Sequence, residues 1–207
     1  MYTLYARAGW GSVLTEAQLA WYRLPYRFEE VGDLFREQGA GDKLRALNPL
    51  MQLPTLLLPD GQVMTESAAI TLHLAEAARR DDLVPPPPRP QFLRWLVFMV
   101  ANIYPTFTYA DLPQRFVPGE EAQKAFEANV NAYARRLWGM MEAEAGAPWF
   151  LGSRLTALDL FIAVMTKWRP GRAWFAEHAP RLHAIAVAAQ SAPAIAEVWR
   201  RNFPENG

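Results

Sequence analysis

The chain has 207 residues, room for one large domain or two small ones with a sizeable core. Apolar residues make up 51% and charged residues 20%, and 21 Lys and Arg balance 21 Asp and Glu, so no charge excess points to nucleic acid or to an anionic membrane. The absence of cysteine excludes disulfides, thiolate metal sites and a cysteine nucleophile.

The N-terminal MYTLYARAGW lacks the long apolar core of a secretory signal, and the apolar run from Trp95 to Ala101 is too short to span a bilayer. The expected location is therefore the cytoplasm. Tyr2 to Tyr5 reads as a short strand, followed by AGWGS, where Gly9 and Gly11 permit a tight turn. From Ser12 to Leu24, Val13, Leu14, Leu19, Ala20 and Tyr22 recur at helical spacing. YRFEEV is a second strand, and DKLRALN a short helix that stops at Asn48-Pro49. Thr55 to Leu58 reads as a buried strand, PDGQ as a hairpin turn, and Gln62 to Met64 as the return strand. Glu66 to Arg79 is helical, with apolar Ala69, Ile70, Leu72, Leu74 and Ala75. The order is β-α-β-α-β-β-α.

RRDDLVPPPPRP interrupts this pattern, because consecutive prolines form a stiff, extended connector. The expected organisation is an α/β domain over 1–79, a proline-rich linker over 80–90 and an all-helical domain over 91–207. Its helices are read at Gln91–Tyr104, Glu120–Ala145, Thr156–Trp168, Pro180–Gln190 and Ala192–Arg201. His73, His178 and His183 are scattered without metal-ligand spacing, so no metal is expected.

The element order, with a proline opening the third strand, resembles the thioredoxin-like fold. With the helical domain behind it, the whole chain resembles a cytosolic glutathione transferase of the bacterial, serine-using type. NPLMQLPTLLLPDG, TESAAITLHLAE and FLGSRLTALDLFIA carry the resemblance. It implies that Pro54 is cis and that the backbone of Leu53 meets the cysteinyl residue of glutathione, as in strand addition. It gives Ser67 the γ-glutamyl carboxylate and Glu66 the surroundings of the amino group, consistent with anion binding at a helix N-terminus. The local alternative is ordinary capping, with Thr65 as N-cap.

Glutathione chemistry needs a thiolate, and a free thiol has a pKa near ~8.5. Ser12, behind the glycine turn, is the candidate catalytic hydroxyl; the alternative makes it a plain cap of the first helix. Serine or cysteine one place earlier is common in the family, and Gly11 stands there. Tyr5 and the backbone amides of the first helix are the rivals for the thiolate, and Arg7 is a candidate anion partner. LTALDL reads as a capping box of Thr156 and Asp159, assigned to stability. The resemblance also places an electrophile pocket at the first-helix turn and the later helices, for which Trp10, Tyr104 and Phe107 are candidates.

WLVFMVANIY is apolar nearly all round, so that helix should be covered on two sides, one of them by a second copy. The implied function is conjugation or exchange of glutathione, as co-substrate, on a small-molecule electrophile by a homodimer. Two alternatives stay open: glutathione-dependent disulfide or peroxide reduction, and a non-catalytic binding protein of the same fold.

Overall fold

In the computed structural model, described over residues 1–86 and 89–204, strand β1 (Tyr2–Ala6) is buried on both faces. It is also an inner strand of the sheet. The order is β2-β1-β3-β4, so β1 has a neighbour on each side. It runs parallel to β2 (Tyr26–Glu30), with Tyr2 opposite Tyr26, and antiparallel to β3 (Thr55–Leu57), with Tyr5 opposite Thr55. β4 (Val63–Met64) closes a hairpin on β3. The mixed sheet and its helices match the expected thioredoxin-like architecture.

Helix α1 (Ser12–Trp21) is buried from Ser12 through Leu19. It ends three residues before the expected Leu24. Arg23 takes φ 55°, its amide donates to Ala20, and the Leu24 amide reaches back to Leu19. This is a Schellman closure built without glycine. Helix α2 (Asp42–Arg45) buries only Leu44. Helix α3 (Ser67–Ala78) buries Ile70, Thr71, Leu74 and Ala75, the stripe expected of a helix laid on a sheet.

The second part of the chain is helical. Helix α4 (Arg89–Phe98) passes through a π turn (Met99–Ile103) into α5 (Tyr104–Asp111). Pro105 explains the widening: it cannot donate to the carbonyl four residues back, and its ring would collide with it in a regular helix. Helices α6 (Glu120–Glu144), α7 (Ala157–Met165), α8 (Arg172–His178) and α9 (Pro180–Gln190) follow. α5 and α8 had no counterpart in the sequence reading. Among the described residues no helix is long and apolar enough to cross a membrane.

The described residues form two compact units. One is Met1–Val84 with the residues from Gln190 onward, and the other is Pro85–Ala189. Pro87 and Pro88 of the expected linker lie outside the described residues. Helix α10 (Ala196–Asn202), read from sequence as part of the helical domain, packs on α1 in the first unit. A buried carboxylate on α1 draws it there, as described below.

Candidate functional site

The loop from β1 to α1 is held by the side chain expected to do chemistry. Ser12 is fully buried; its Oγ accepts the Arg7 amide proton at 3.1 Å and donates its own proton to the Arg7 carbonyl at 3.0 Å. A hydroxyl has one proton, and this one is directed at the backbone. In this geometry Ser12 ties the loop to the backbone of Arg7. No side chain caps α1, so its first amides, at Gly11 and Ser12, are unopposed by a capping oxygen.

Three expected site residues gather in one cluster. Tyr5 and Trp10 pack, with Leu34 and Met51, against buried Val31, Leu44 and Leu53. Trp10 also stacks on Phe35 with ring centres 4.7 Å apart, and the Arg7 guanidinium lies 5.4 Å from the Trp10 ring. Arg7 in turn pairs with Asp33 at 3.4 Å and Glu37 at 3.9 Å.

The Leu53–Pro54 peptide bond is cis. The turn that presents it is locked by Asn48, which the sequence reading gave no role. Asn48 Nδ2 donates to the Gln52 carbonyl at 3.1 Å and to Thr55 Oγ1 at 3.0 Å, while its Oδ1 accepts from the Leu50 amide at 3.1 Å. Thr55 Oγ1 donates to the same Gln52 carbonyl. Asn48 and Thr55 are both buried, so these bonds are shielded from water.

Glu66 and Ser67 stand at the head of α3. Glu66 holds φ 65° and ψ 104°, a conformation that costs a non-glycine residue of order 1–3 kcal/mol. Ordinary capping does not account for it: the residue in the N-cap position is Glu66, not Thr65, and no side chain caps the helix. Glu66 is exposed and Ser67 half-buried.

In the second unit, Tyr104, Phe107 and Trp168 meet edge to face, with centroids 5.0–6.2 Å apart. Burial raises the Tyr104 hydroxyl well above the usual phenol range. Phe107 also lines a cavity of about 170 Å³ with Asn131, Arg135 and Arg169. Trp10, grouped with these two in the sequence reading, belongs to the first unit. The Thr156–Asp159 box forms as expected at α7, and it does more. Asp159 accepts from the Thr156 amide at 2.7 Å, the Thr156 hydroxyl at 3.1 Å and the Phe150 amide at 2.7 Å. Burial pushes its carboxyl up to about 6 against these donors.

A second buried carboxylate is Glu16 on α1. Its Oε1 accepts from Arg201 at 2.5 Å and from the Tyr26 hydroxyl at 3.1 Å, and its Oε2 accepts from Asn202 Nδ2 at 2.8 Å. Burial raises its pKa, and these three partners oppose the rise. Among the described residues no group of three or more His, Cys, Asp and Glu is placed to hold a metal ion.

Residues 15–77 match the family model described as "Glutathione S-transferase, N-terminal domain". The chain is 39% identical over 206 residues to the "Uncharacterized GST-like protein YncG" of Escherichia coli (strain K12), covering 98% of each chain. It is 29% identical over 134 residues to "Glutathione S-transferase GstA" of Escherichia coli O157:H7, covering 62% of each. Among solved structures, a glutathione transferase homolog from sulfitobacter with bound glutathione superposes with a TM-score of 0.84 at 21% identity, covering 96% of both chains.

Proposed function

Because the chain belongs to the glutathione S-transferase family, we propose that it binds glutathione as co-substrate and joins it through its thiol sulfur to a small electrophile. One observation carries this reading: the cis Leu53–Pro54 turn and the loop after β1 share a single cluster through Leu53, Tyr5 and Trp10. A peptide laid along that turn has its cysteinyl backbone at Leu53 and its sulfur toward the head of α1. The γ-glutamyl end goes to Glu66 and Ser67, whose strained, uncapped helix start offers amides and a hydroxyl to the carboxylate and an acid to the ammonium.

The thiolate is stabilised by the amides of Gly11 and Ser12 and by the positive end of the helix. Stabilising the anion in place and holding it toward the electrophile supply the rate. The sulfur then attacks the electrophilic atom, the leaving group departs with the displaced electron pair, and the thiol proton goes to solvent. Trp10 is the first unit's candidate for contact with the electrophile, and Tyr104 and Phe107 are the second unit's.

The protein acts as a cytoplasmic homodimer. Val97, 53% exposed, and Ala101 form an apolar strip on α4 and the π turn that suits a second copy. The test is retention on immobilised glutathione followed by a conjugation assay on a panel of small electrophiles. Retention with release by free glutathione, and product formation, are expected. Failure of both would overturn the reading.

A further inference from the structure

Glu16, Asn202 and Gly9 form a chain of hydrogen bonds from the interior of α1 to the loop that precedes it. Gly9 donates its amide proton to Asn202 Oδ1 at 3.1 Å, and Asn202 Nδ2 donates to Glu16 Oε2 and to the Val198 carbonyl, each at 2.8 Å. These partners fix the orientation of the Asn202 amide. Turned over, it would set its oxygen against a carboxylate and a carbonyl, and its NH₂ against an N–H. Glu16 is fully buried and Asn202 nearly so, so neither contact exchanges readily with water.

The loop backbone at this point calls for glycine: Gly9 holds φ 74°, in the left-handed region. Ser12 pins one end of the loop through Arg7, and Asn202, 193 residues away in sequence, pins its middle.

We propose that Asn202 is a positioning residue for the thiol-binding loop: oriented by buried Glu16, it holds Gly9 so that the amides at the head of α1 converge on the sulfur of glutathione. This rests on the glutathione reading given above. The C-terminal helix is then part of the site's scaffold, acting through one backbone N–H without touching the substrate.

The experiment compares wild type, Asn202→Ala and Tyr26→Phe, each saturated with glutathione, by pH titration of thiolate absorbance and by steady-state kinetics. Tyr26→Phe removes a bond to Glu16 but leaves the Asn202–Gly9 contact, so it controls for lost stability. It should lower the melting temperature and leave the thiol titration superimposed on wild type. Asn202→Ala should raise the pKa of the bound thiol by about one unit and lower kcat/KM near neutral pH about tenfold. The KM for glutathione should stay within about twofold of wild type, since the clamp contacts at Leu53, Glu66 and Ser67 remain. Superimposed titrations of wild type and Asn202→Ala would overturn the positioning role alone. A wild type that binds no glutathione would overturn the functional reading and this inference with it. If Asn202→Ala does not fold, hydrogen exchange of the Gly9 amide in the wild-type protein decides. Strong protection supports the contact, and exchange at the rate of an unstructured peptide overturns it.

Discussion

Replacing Ser12 by alanine separates a structural hydroxyl from a catalytic one. In the structure this hydroxyl is buried and makes two hydrogen bonds, both to the backbone of Arg7. After the substitution the Arg7 carbonyl still accepts from the Trp10 amide, but the Arg7 amide loses the partner it has here. Leaving one buried donor unsatisfied costs about 1–3 kcal/mol. For a chain of this size that corresponds to roughly 2–4 °C of melting temperature per kcal/mol, or several degrees in all. The thiol of bound glutathione should behave otherwise. The Ser12 proton points at the Arg7 carbonyl, and the amides at the head of α1 survive the change, so its pKa should move by no more than a few tenths. Thermal melts, paired with thiolate absorbance titrations at saturating glutathione, measure both. An upward shift of a full unit with unchanged melting would show that the hydroxyl reaches the sulfur and would refute the assignment of Ser12 to the loop.

Ser67→Ala should raise the KM for glutathione about ten- to a hundredfold, the equivalent of one charge-assisted hydrogen bond of about 1.5–3 kcal/mol, with kcat nearly unchanged; a fall in kcat at constant KM would remove Ser67 from the clamp. Asp159→Ala strands the amides of Phe150 and Thr156 as well as the cap, so its cost should exceed the ~0.5–2 kcal/mol of a simple capping loss, reaching about 3 kcal/mol in denaturant titration, with glutathione affinity intact. The folded Asp159 carboxyl titrates at about 6, above its ordinary 3.8, so its contribution is full below about pH 4 and is lost as pH rises through about 6, by at most about 3 kcal/mol. Asp159→Asn should flatten that window; a wild-type stability that instead rises from pH 4 to 7 relative to Asp159→Asn would mean the donors outweigh burial. Val97→Glu should convert the dimer to monomer in sedimentation at micromolar concentration, and a wild type that sediments as a monomer would remove the dimer proposal.

What the sequence made legible was whatever rests on local spacing. The β-α-β-α-β-β-α order, the turn at Asp60-Gly61 and the Thr156–Asp159 box depend on neighbours a few residues apart, and all appear where expected. Helix ends were less readable. α1 closes at Arg23 with a positive φ and no glycine to mark it, so periodicity ran on to Leu24. α5 and the π turn escaped notice because Pro105 reads as a stop, whereas a widened turn carries the helix past it.

The candidate site divides in the same way. The cis Pro54 and the Glu66-Ser67 helix head followed from motifs carried by the family resemblance. The hydrogen bonds of Ser12 did not, because nothing in AGWGS reveals that the hydroxyl folds back on Arg7. Asn48 sat in a quoted motif, and its four-residue reach to Gln52 emerged only once the turn was built. Glu16 offered one faint signal: a carboxylate among Leu14, Thr15, Ala17 and Leu19 must find partners if the helix is buried all round. Its partners, Arg201 and Asn202, lie 185 and 186 residues away, beyond any local rule.

The most direct measurement is a pH titration of thiolate absorbance on the wild-type protein saturated with glutathione. Saturable binding, with the thiol ionising at least one unit below its free value near ~8.5, is the expected result. A bound thiol that titrates at the free value, or no saturable binding at all, would contradict a site built to hold glutathione as the thiolate.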